Sequence, residues 1–507
     1  MSLRFDLYFS EKEFEYDIYN LLKAFYPLAD CSLLYFPQKQ PPASEGTDAV
    51  FAVEYGGSSV VFSYVCRETM TEEECAGNRL SPQPWSVRRD DISFADKLEA
   101  KNRVKQLVYQ SLSRMTGLSL PWGDLTGIRP VKLVTGLLGE GKKPADIASY
   151  MRKTWFVSPE KTSLAIATAM KEKELMEELH PEQGCSLYIG IPYCPTICLY
   201  CSFGSHPLDR FRKTVGNYLE TLYRELAFIG ETAAEKGLRL DTVYIGGGTP
   251  TTLAPDRLDT LLRVVGDCFS LKQVREFTVE AGRPDTITPE KLQVLRRHPV
   301  TRISINPQTM NQKTLDIIGR QHTVEEVREK YRLARDMGFD NINMDLIIGL
   351  PSEGSEEVRR TLEEIRALDP DSLTVHALAL KRATRLNLFK DTYAPVSFEA
   401  SADIMHQTEQ CAAELGMHPY YLYRQKNMAG NFENVGYAKE GKDCLYNILI
   451  MEERQTILAA GSGASSKFVC DGGTRIERVE NVKDIGHYTE RIDEMLERKA
   501  EAFRMYL

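Results

Sequence analysis

The chain has 507 residues, a globular composition and a formal net charge of −9 at pH 7. That length exceeds one ordinary core, so we expect two or three domains, and the acidic balance argues against a polyanion as partner of the whole molecule. No apolar run approaches the ~18 residues that span a bilayer, and the first residues do not resemble a signal peptide, so we expect neither.

Residues 1–180 are predicted to form an N-terminal α+β accessory domain. Alternating apolar residues at 52–55 and 59–65 indicate short antiparallel strands. The polar segment 38–47 is typical of a loop, and residues 96–116 have the apolar spacing of a helix. Residues 181–184, Pro-Glu-Gln-Gly, have the composition of a linker.

Two stretches of this domain carry several cations. The helix 96–116 and the turn-rich segment 121–132 include Lys97, Lys101, Arg103, Lys105, Arg129 and Lys132. One interpretation is a basic surface for an anion such as RNA or a substrate carboxylate. The other is a solvated helix face beside a packed loop, which we favour because charge runs usually face water.

From Gly184 onward, predicted strands and helices alternate, which indicates parallel strands joined by right-handed crossovers. The predicted strands are 186–192, 241–246, 276–281, 302–306, 341–348 and 372–380, and the intervening helices are 218–236, 255–268, 289–297, 324–337 and 355–368. We therefore predict a partial (β/α)6 barrel over residues 181–390, with a flat doubly wound sheet as the competing α/β fold. Residues 391–507 are expected to form a mostly helical C-terminal region that covers the substrate.

Three cysteines follow the first predicted strand of this domain at CxxxCxxC spacing: Cys194, Cys198 and Cys201. Closely spaced thiolates bind soft metals or iron–sulfur clusters, and three ligands on a four-iron cluster leave one iron open. The alternative is a zinc site with His206 or Cys185 as fourth ligand. The eleven cysteines are otherwise scattered, which favours a reducing cytoplasm and small buried hydrophobic roles for the other eight.

Polar or glycine-rich residues end each of the following predicted strands. If the strands are parallel, their carboxyl ends share one mouth, so these residues lie together. Consecutive glycines also let the backbone approach a ligand closely. The strand-end segments are 246–250 (Gly-Gly-Gly-Thr-Pro), Glu280, 302–308 with Gln308, 319–322 with Arg320, Asp345, and His376 with Ala377.

The order of these motifs resembles the anaerobic coproporphyrinogen III oxidase branch of the radical S-adenosylmethionine (SAM) superfamily. The matching segments are YxxxxxCxxxCxxC, GGGTP, the Glu280 element, RISINPQT, GRQHT and NMDLIIGLP. The long N-terminal region and the segment 420–431 are most similar to its coproporphyrinogen dehydrogenase (HemZ-type) variant. The resemblance covers residues 184 to about 467 well.

This resemblance implies a [4Fe-4S] cluster and SAM as cofactors. It implies Cys194, Cys198 and Cys201 as cluster ligands. Around the cluster-bound SAM it places Tyr188, Gly247, Glu280, Ala377 and Ser465, and around a second SAM it places Tyr200, Gly248, Thr249, Gln308, Arg320 and Asp345. His376 is adjacent to both sets.

The implied reaction is oxidative decarboxylation of two propionates of coproporphyrinogen III to vinyl groups, giving protoporphyrinogen IX. The implied partners are a tetrapyrrole and a flavodoxin- or ferredoxin-type electron donor, with no membrane or nucleic acid. One position departs from the pattern: Phe203 stands where oxidases of this branch commonly carry a fourth cysteine. Relatives with Phe there include haem chaperones and haem-degrading enzymes, so a haem-trafficking protein, or a radical enzyme acting on haem or tRNA, remains an alternative.

Substrate carboxylates need cationic partners. The candidates are Arg283, Lys381, Arg382, Arg385, Arg424 and Lys426. The tyrosines of 420–423 are expected either to stack on the macrocycle or to belong to the core.

Overall fold

The computed structural model describes residues 3–27, 29–35, 46–126, 129–177, 179, 183–202, 204–378, 402–424 and 432–507. The chain divides into two compact units: residues 1–167 with 424–433, and residues 168–423 with 434–507. Most of the predicted loop 38–47 and part of the predicted linker 181–184 lie outside the described residues. Within those residues, no helix combines the length and the apolar character that crossing a membrane requires.

The first unit is built on a five-stranded sheet in the order β2-β1-β3-β4-β5. Its strands are β1 (Arg4–Phe9), β2 (Asp30–Tyr35), β3 (Ala49–Gly56), β4 (Ser59–Cys66) and β5 (Trp85–Arg89). Its helices are α1 (Glu15–Phe25), α2 (Glu72–Gly77), α3 (Lys97–Thr116), α4 (Pro130–Gly139) and α5 (Pro144–Thr154), and α6 (Pro159–Glu177) begins in it. The predicted antiparallel strands at 52–55 and 59–65 belong to the β3–β4 pair, whereas β1 runs parallel to β2 and β3.

Helix α3 matches its prediction because both of its ends carry clear signals. The Asp96 side chain accepts hydrogen bonds from the amides of Leu98 and Glu99 and so caps the first turn. Gly117 ends the helix in the left-handed region at φ +69°. The helix buries Val104 and Val108, among others, in the core of the first unit.

The cations of α3 do not form one basic surface. Lys105 is buried, with its Nζ 4.0 Å from Asp124. Arg103 pairs with Glu99 on the same helix, and Lys97 lies 3.6 Å from Glu13. This pairing favours the solvated-face interpretation over a surface for RNA.

The second unit is organised around an eleven-stranded sheet. Its order is β14-β15-β13-β12-β11-β10-β9-β6-β16-β17-β18. The central strands are β6 (Gly184–Ile191), β9 (Arg239–Gly247), β10 (Glu276–Glu280), β11 (Arg302–Ser304), β12 (Ile342–Ile348) and β13 (Ser372–Ala377). All neighbours within this set are parallel.

The remaining elements of this unit connect or flank the six central strands. The short strands β7 (Tyr193–Cys194) and β8 (His206–Pro207) pair with each other. The flanking strands are β14 (His418–Tyr423), β15 (Asn434–Ala438), β16 (Thr456–Ala460), β17 (Ser465–Cys470) and β18 (Arg475–Glu480). The helices are α7 (Leu208–Phe211), α8 (Val215–Glu235), α9 (Pro255–Cys268), α10 (Pro289–Arg297), α11 (Gln312–Ile317), α12 (Val324–Asp336), α13 (Ser355–Leu368), α14 (Ala402–Glu414), α15 (Leu445–Glu452), α16 (Ile485–Glu490) and α17 (Ile492–Tyr506).

The order of the six central strands is that of the predicted partial (β/α)6 barrel. Strands β6, β9, β10, β11, β12 and β13 lie side by side in chain order, as in a barrel sheet. A doubly wound sheet reverses direction at a switch point, and this order does not. Because all six are parallel, their carboxyl ends meet at one edge, which we call the mouth edge.

The two units do not follow the predicted division at residues 180 and 390. Strands β14 and β15 extend the central sheet beyond β13, and β16 pairs in parallel with β6, so most of the C-terminal region belongs to the barrel unit. That region therefore has five strands beside its helices, more sheet than the mostly helical region expected. Residues 424–433, between β14 and β15, belong instead to the first unit.

Arg424 and Glu433, at the two ends of the segment 424–433, make buried polar contacts within the first unit. The carboxylate of Glu433, which is fully buried, lies 2.6 Å from Lys161 Nζ. The indole N–H of Trp122 donates to the same carboxylate at 2.5 Å, and Arg424 donates to the carbonyl oxygen of Leu125 at 2.9 Å. An ion pair with extra hydrogen bonds is the arrangement in which a buried charge is tolerated.

Candidate cluster and cofactor site

The loop that carries Cys194, Cys198 and Cys201, which we call the cysteine loop, begins where β6 ends, at the mouth edge. Cys194 closes the short strand β7, and its Sγ lies 3.4 Å from the hydroxyl of Thr249, which follows β9. The amide of Cys201 donates to the carbonyl of Cys198 at 3.1 Å, which folds the CxxC end of the loop into a turn. Burial raises the pKa of the Cys194 thiol, and the nearby Cys198 raises it further.

Arg283 holds this loop from the side. Its Nη1 lies 3.6 Å from Cys198 Sγ and donates to the Thr196 hydroxyl at 3.2 Å. Its Nε and Nη2 donate to the two carboxylate oxygens of Asp285 at 3.0 and 2.8 Å. The guanidinium is almost fully buried, so it brings a positive charge to the cysteine sulfurs.

The positions of the possible ligands bear on whether the cysteines hold a zinc ion or an iron–sulfur cluster. Among the described residues, no three Cys, His, Asp or Glu side chains lie close enough together to hold one metal ion. Cys185, a proposed fourth zinc ligand, is buried near the start of β6, at the end of the strand remote from the loop. A tetrahedral zinc site needs its ligands around one ion, whereas cysteines of a four-iron cluster bind different irons and stand further apart. The donor set therefore fits a cluster better than zinc, and the ligand assignment stays a prediction.

The glycine run after β9 packs directly under the cysteine loop. The amides of Gly248 and Thr249 donate to the carbonyls of Ile191 and Tyr193, each at 2.7 Å. A Cβ on Gly248 would come within 2.5 Å of the Tyr193 carbonyl oxygen, and Gly247 has φ +102°. Only glycine fits both positions, because a side chain would clash at one and strain the backbone at the other.

Glu280 ends β10 beside this glycine run. Its carboxylate accepts a 2.6 Å hydrogen bond from the hydroxyl of Tyr244 and a further one from the amide of Gly247. Burial raises the pKa of the Glu280 carboxyl to about 7, against the lowering effect of the Tyr244 hydrogen bond. The charge state of this carboxyl therefore changes near neutral pH.

Three tyrosine rings form a stack next to Glu280. Tyr188 on β6 stacks on Tyr244 with ring centroids 6.3 Å apart, and Tyr446 on α15 stacks on Tyr244 at 4.5 Å. A Cβ built on Gly247 would lie 3.2 Å from the Tyr188 hydroxyl. That hydroxyl therefore lies against the glycine run 246–248, which we call the glycine cradle. Tyr188 and Glu280, predicted from different motifs, thus converge on one ring stack.

Gln308 has an unusual backbone for its residue type, with φ +67°. The strand-like contacts of its backbone with β12 fix it there: its amide donates to the carbonyl of Asp345, and its carbonyl accepts from the amide of Ile347, both at 2.9 Å. Its side-chain oxygen is buried and makes no hydrogen bond, and the same is true of the side-chain oxygen of Asn306. A buried unpaired amide oxygen costs free energy, so both are available for a ligand.

Arg320 is held almost entirely by the protein. Its guanidinium donates to the backbone carbonyls of Asn306 at 2.7 Å and Gly282 at 3.2 Å, and to the hydroxyl of Tyr200 at 3.1 Å. It joins the cysteine loop to the ends of β10 and β11. Its Nε is buried without a hydrogen-bond partner, so this N–H can still donate to a ligand.

Three predicted residues lie at the far strands of the mouth edge. Asp345 on β12 accepts from Asn343 Nδ2 at 2.7 Å, and His376 Nε2 lies 4.0 Å from its other oxygen. The amide of Ala377, at the end of β13, donates to the Asn434 side chain at 2.9 Å. Burial lowers the pKa of His376, which favours the neutral imidazole.

Ser465 lies on the other side of β6 from β12 and β13 within the sheet. Ser465 is the first residue of β17. The preceding strand, β16, runs parallel to β6, and the chain turns at the mouth edge between β16 and β17. Its hydroxyl is buried without a partner. The predicted SAM residues therefore span the mouth edge from Ser465 to Ala377, and their assignment to bound SAM stays a prediction.

Sequence reasoning gave no role to several residues that the structure places in this site. Asn306 and His322 stand inside quoted motifs, whereas Tyr244, Asp285 and Tyr446 stand outside them. His322 is fully buried, and neither ring nitrogen makes a hydrogen bond, although Nδ1 lies 3.9 Å from Asp285. Burial lowers the pKa of His322 to about 3. The strand position of Tyr244, in register with Tyr188, was the available signal.

The structure describes two of the six cations predicted to bind substrate carboxylates, Arg283 and Arg424. Arg283 is committed to Asp285 and the cysteine loop, and Arg424 is buried in the first unit against Trp122 and Leu125. Tyr420 and Tyr421 are buried core residues on β14, in agreement with the simpler expectation. Lys381, Arg382, Arg385 and Lys426 lie outside the described residues, as does Phe203.

The chain is similar to several known proteins. The family model of the radical SAM superfamily matches residues 188–365. The oxygen-independent coproporphyrinogen-III oxidase-like protein HemZ of Bacillus subtilis (strain 168) is 43% identical over 455 residues, which cover 88% of this chain and 91% of that protein. The heme chaperone HemW of the same strain is 31% identical over 61% of this chain and 76% of that protein.

A solved structure shares the fold. The structure of coproporphyrinogen III oxidase (HemN) from Escherichia coli matches with a TM-score of 0.51 and 23% identity, covering 65% of this chain and 73% of that chain.

Proposed function

The chain belongs to the radical SAM superfamily and, within it, to the HemZ-type, coproporphyrinogen oxidase-like proteins, and from that premise we propose that it oxidises coproporphyrinogen III to protoporphyrinogen IX. It is a radical SAM enzyme whose cofactors are a [4Fe-4S] cluster and SAM. The observation that carries the proposal is the meeting of the cysteine loop, the glycine cradle and Glu280 at one sheet edge.

The protein's contribution to the cofactor chemistry is orientation. When bound, the reduced cluster supplies the electron that splits SAM to methionine and a 5′-deoxyadenosyl radical. Glu280, fixed by Tyr244, would accept from the ribose hydroxyls of SAM. The backbone at Gly247, which carries no side chain, would face its methionine end.

A second set of residues would hold a further polar ligand beside the first. The unpaired oxygens of Gln308 and Asn306 point to a ligand with hydrogen-bond donors, and the remaining donor of Arg320 to one with an acceptor. A second SAM, with its amino and carboxylate groups, has both.

In the proposed reaction each of two propionate side chains loses a hydrogen atom, carbon dioxide and one electron. Each propionate becomes a vinyl group, and each abstracted hydrogen atom converts one 5′-deoxyadenosyl radical to 5′-deoxyadenosine. The electron passes to an external acceptor, and a flavodoxin- or ferredoxin-type protein would reduce the cluster for each turnover. We propose a cytoplasmic location, since the scattered free cysteines suit a reducing compartment.

A second candidate function is favoured by two observations. Phe203 replaces the fourth cysteine common in oxidases of this branch, and the HemW similarity extends over 61% of the chain. A haem-binding trafficking protein would keep the cluster loop and bind haem without consuming it.

One anaerobic experiment separates the two. Reconstituted protein is incubated with SAM, a low-potential reductant and coproporphyrinogen III, and in parallel with haem. We expect tricarboxylic and then dicarboxylic porphyrinogen to form, with at least one 5′-deoxyadenosine for each carbon dioxide released. Stable haem binding with no porphyrinogen turnover would instead favour the carrier, and loss of haem would indicate that haem is the substrate.

A further inference from the structure

In the first unit, away from the cysteine loop, two other sulfur atoms lie close to that of Cys66. Cys66 Sγ lies 3.3 Å from Cys75 Sγ and 3.7 Å from the thioether sulfur of Met70. The carbonyl oxygen of Asp48 is 3.8 Å from the same Cys66 sulfur. Sequence reasoning treated both cysteines as small buried hydrophobes, and nothing in the proposed reaction uses them.

The backbone brings the three residues together through ordinary structural features. Cys66 ends β4, and the chain then turns, with the amide of Met70 donating to the carbonyl of Arg67 at 3.0 Å. Thr71 caps α2 with a full capping box through Glu74. Helix α2 then places Cys75 toward the core. The convergence of the sulfurs therefore follows from a strand end, a turn and a capped helix.

The sulfur separations differ from those of a disulfide. A disulfide joins its sulfurs at about 2.0 Å, so Cys66 and Cys75 are two thiols in contact. Sulfurs that share one metal ion, with metal–sulfur bonds of about 2.3 Å, stand roughly 3.7 to 4.0 Å apart. The Cys66–Met70 separation falls in that range, and the cysteine pair needs to open by about half an ångström.

The donor set selects the class of ion. Two thiolates and a thioether are soft ligands, and a thioether is typical of Cu(I) sites. Structural zinc sites instead use four cysteine or histidine ligands and no thioether. A hard cation such as Mg²⁺ or Ca²⁺ prefers oxygen ligands throughout.

The cluster is also accessible from one side. Cys75 is fully buried, whereas Cys66 and Met70 are half-buried at the surface end. An ion can therefore reach the sulfurs without unfolding the core. Metal binding to cysteine displaces the thiol proton, so the affinity for the ion should rise with pH.

We propose that Cys66, Met70 and Cys75 form a binding site for one soft monovalent cation of the Cu(I) class. Binding forms three copper–sulfur bonds and releases the two thiol protons to solvent. No electron is transferred. The proposal rests on the geometry of the first unit and is independent of the proposed function.

The test uses the full-length protein with its iron–sulfur cluster loaded, under anaerobic conditions. Cu(I) is titrated into the protein in competition with bicinchoninate, and bound copper is counted per chain. We expect one Cu(I) that the Cys66→Ser/Cys75→Ser double variant lacks. Met70→Leu should weaken that binding at least tenfold, since a dithiol alone supplies one ligand fewer. X-ray absorption should give three sulfur neighbours near 2.3 Å.

Matched variants separate the site from general effects. Met115→Leu alters another methionine packed against the same core, and Cys31→Ser alters another half-buried thiol of the same unit. Both should leave copper binding unchanged. Thermal unfolding of each variant shows whether it folds.

Three outcomes would overturn the proposal. The wild-type protein and the double variant could bind the same amount of copper. A folded Met70→Leu protein could bind with wild-type affinity, which would make the site a plain dithiol. Cys66 and Cys75 could form a disulfide on exposure to glutathione disulfide while binding no Cu(I), which would make them a redox pair instead.

Discussion

A single hydroxyl orients the carboxylate of the predicted SAM site. Tyr244 donates to one oxygen of Glu280 at 2.6 Å, and the amide of Gly247 also donates to this carboxylate. The pKa of Glu280 is held down by this bond and by Arg302, and pushed up by burial and by Asp345. Tyr188 and Tyr446 face the same carboxyl, and both have pKa values raised chiefly by burial, so they stay neutral there.

We predict that Tyr244→Phe weakens SAM binding about tenfold, the scale of one hydrogen bond to a charged group. Since ribose hydroxyls bond more strongly to the Glu280 carboxylate than to its protonated form, wild-type affinity should rise as the pH increases through about 7. Without the hydroxyl the pKa of Glu280 rises, so the midpoint of that pH profile should move upward. Isothermal titration with SAM measures both.

Tyr446→Phe is the control, because it removes a hydroxyl from the same ring stack. It should leave the pH midpoint close to that of the wild type. A Tyr244→Phe protein with an unshifted midpoint would mean that the tyrosine only packs.

Arg283 is a charged residue that contacts the cysteine loop. Arg283 brings a cation to 3.6 Å from Cys198 Sγ. Reduction adds a negative charge to a cluster, and nearby donors and charges tune its potential. We predict that Arg283→Gln lowers the midpoint potential by on the order of 60 mV, the value of a tenfold change for one electron.

A redox titration followed by electron paramagnetic resonance measures this shift. Arg283→Lys should retain more of the wild-type potential, and Arg297→Gln, an exposed pair with Asp259, should retain all of it. An intact cluster with unchanged potential in Arg283→Gln would refute the electrostatic role.

At the residue scale, the sequence predicted the types and order of the site residues but not their partners. Cysteines, glycines and Glu280 are recognisable because their chemistry requires one residue type at one spacing. Arg283 is different. As a basic residue after a strand it was predicted to bind a substrate carboxylate, but its guanidinium pairs with Asp285, two residues further on. Which anion pairs with a buried arginine depends on side-chain geometry that spacing does not fix.

Among the elements, the C-terminal helices are attached to the barrel by a buried charge network. Glu225 on α8 accepts from the amide of Gly461, the hydroxyl of Tyr488, the side chain of Asn481 and Lys499 Nζ. Glu225 and Lys499 are both almost fully buried. The turn after β16, next to Ser465 at the mouth edge, is thus tied to α8, α16 and α17.

We predict that Lys499→Met destabilises the protein by about 3 to 5 kcal/mol, because Glu225 is then a buried charge without its cation. Denaturant unfolding of the two proteins gives the difference. Arg504→Met, an exposed change on the same helix, should have little effect. In the double variant with Glu225→Gln, the loss should be smaller than the sum of the two single losses; strict additivity would show that the pair does not interact.

The regular elements were the most predictable part of the fold. Helices α9, α10 and α13 match their predicted bounds because Pro255, Pro289 and the capping interaction at Gly354 mark their starts. The strands β16 to β18 were not predicted. These strands are short, and β16 pairs with β6, whose residues lie about 270 positions earlier in the chain, while β17 and β18 add to the sheet beside it.

Over the whole molecule, two compact units carry separate chemistry. The first holds the sulfur triad of Cys66, Met70 and Cys75, and the second holds the cysteine loop and the predicted SAM residues. These units differ from the predicted domain bounds, because Arg424 and Glu433, late in the chain, make buried polar contacts within the first unit. Lys161 and Trp122 gave no sequence signal that their partner would be Glu433.

The account of the second unit depends on three thiolates leaving one iron open at the mouth of a parallel sheet. The most direct measurement is 5′-deoxyadenosine formed from SAM by reconstituted wild-type, Cys198→Ala and Cys185→Ala proteins under reducing anaerobic conditions. We predict formation by the wild type and by Cys185→Ala, and none above background by Cys198→Ala, which should also lose the brown cluster chromophore. SAM cleavage at the wild-type rate by Cys198→Ala would contradict the account.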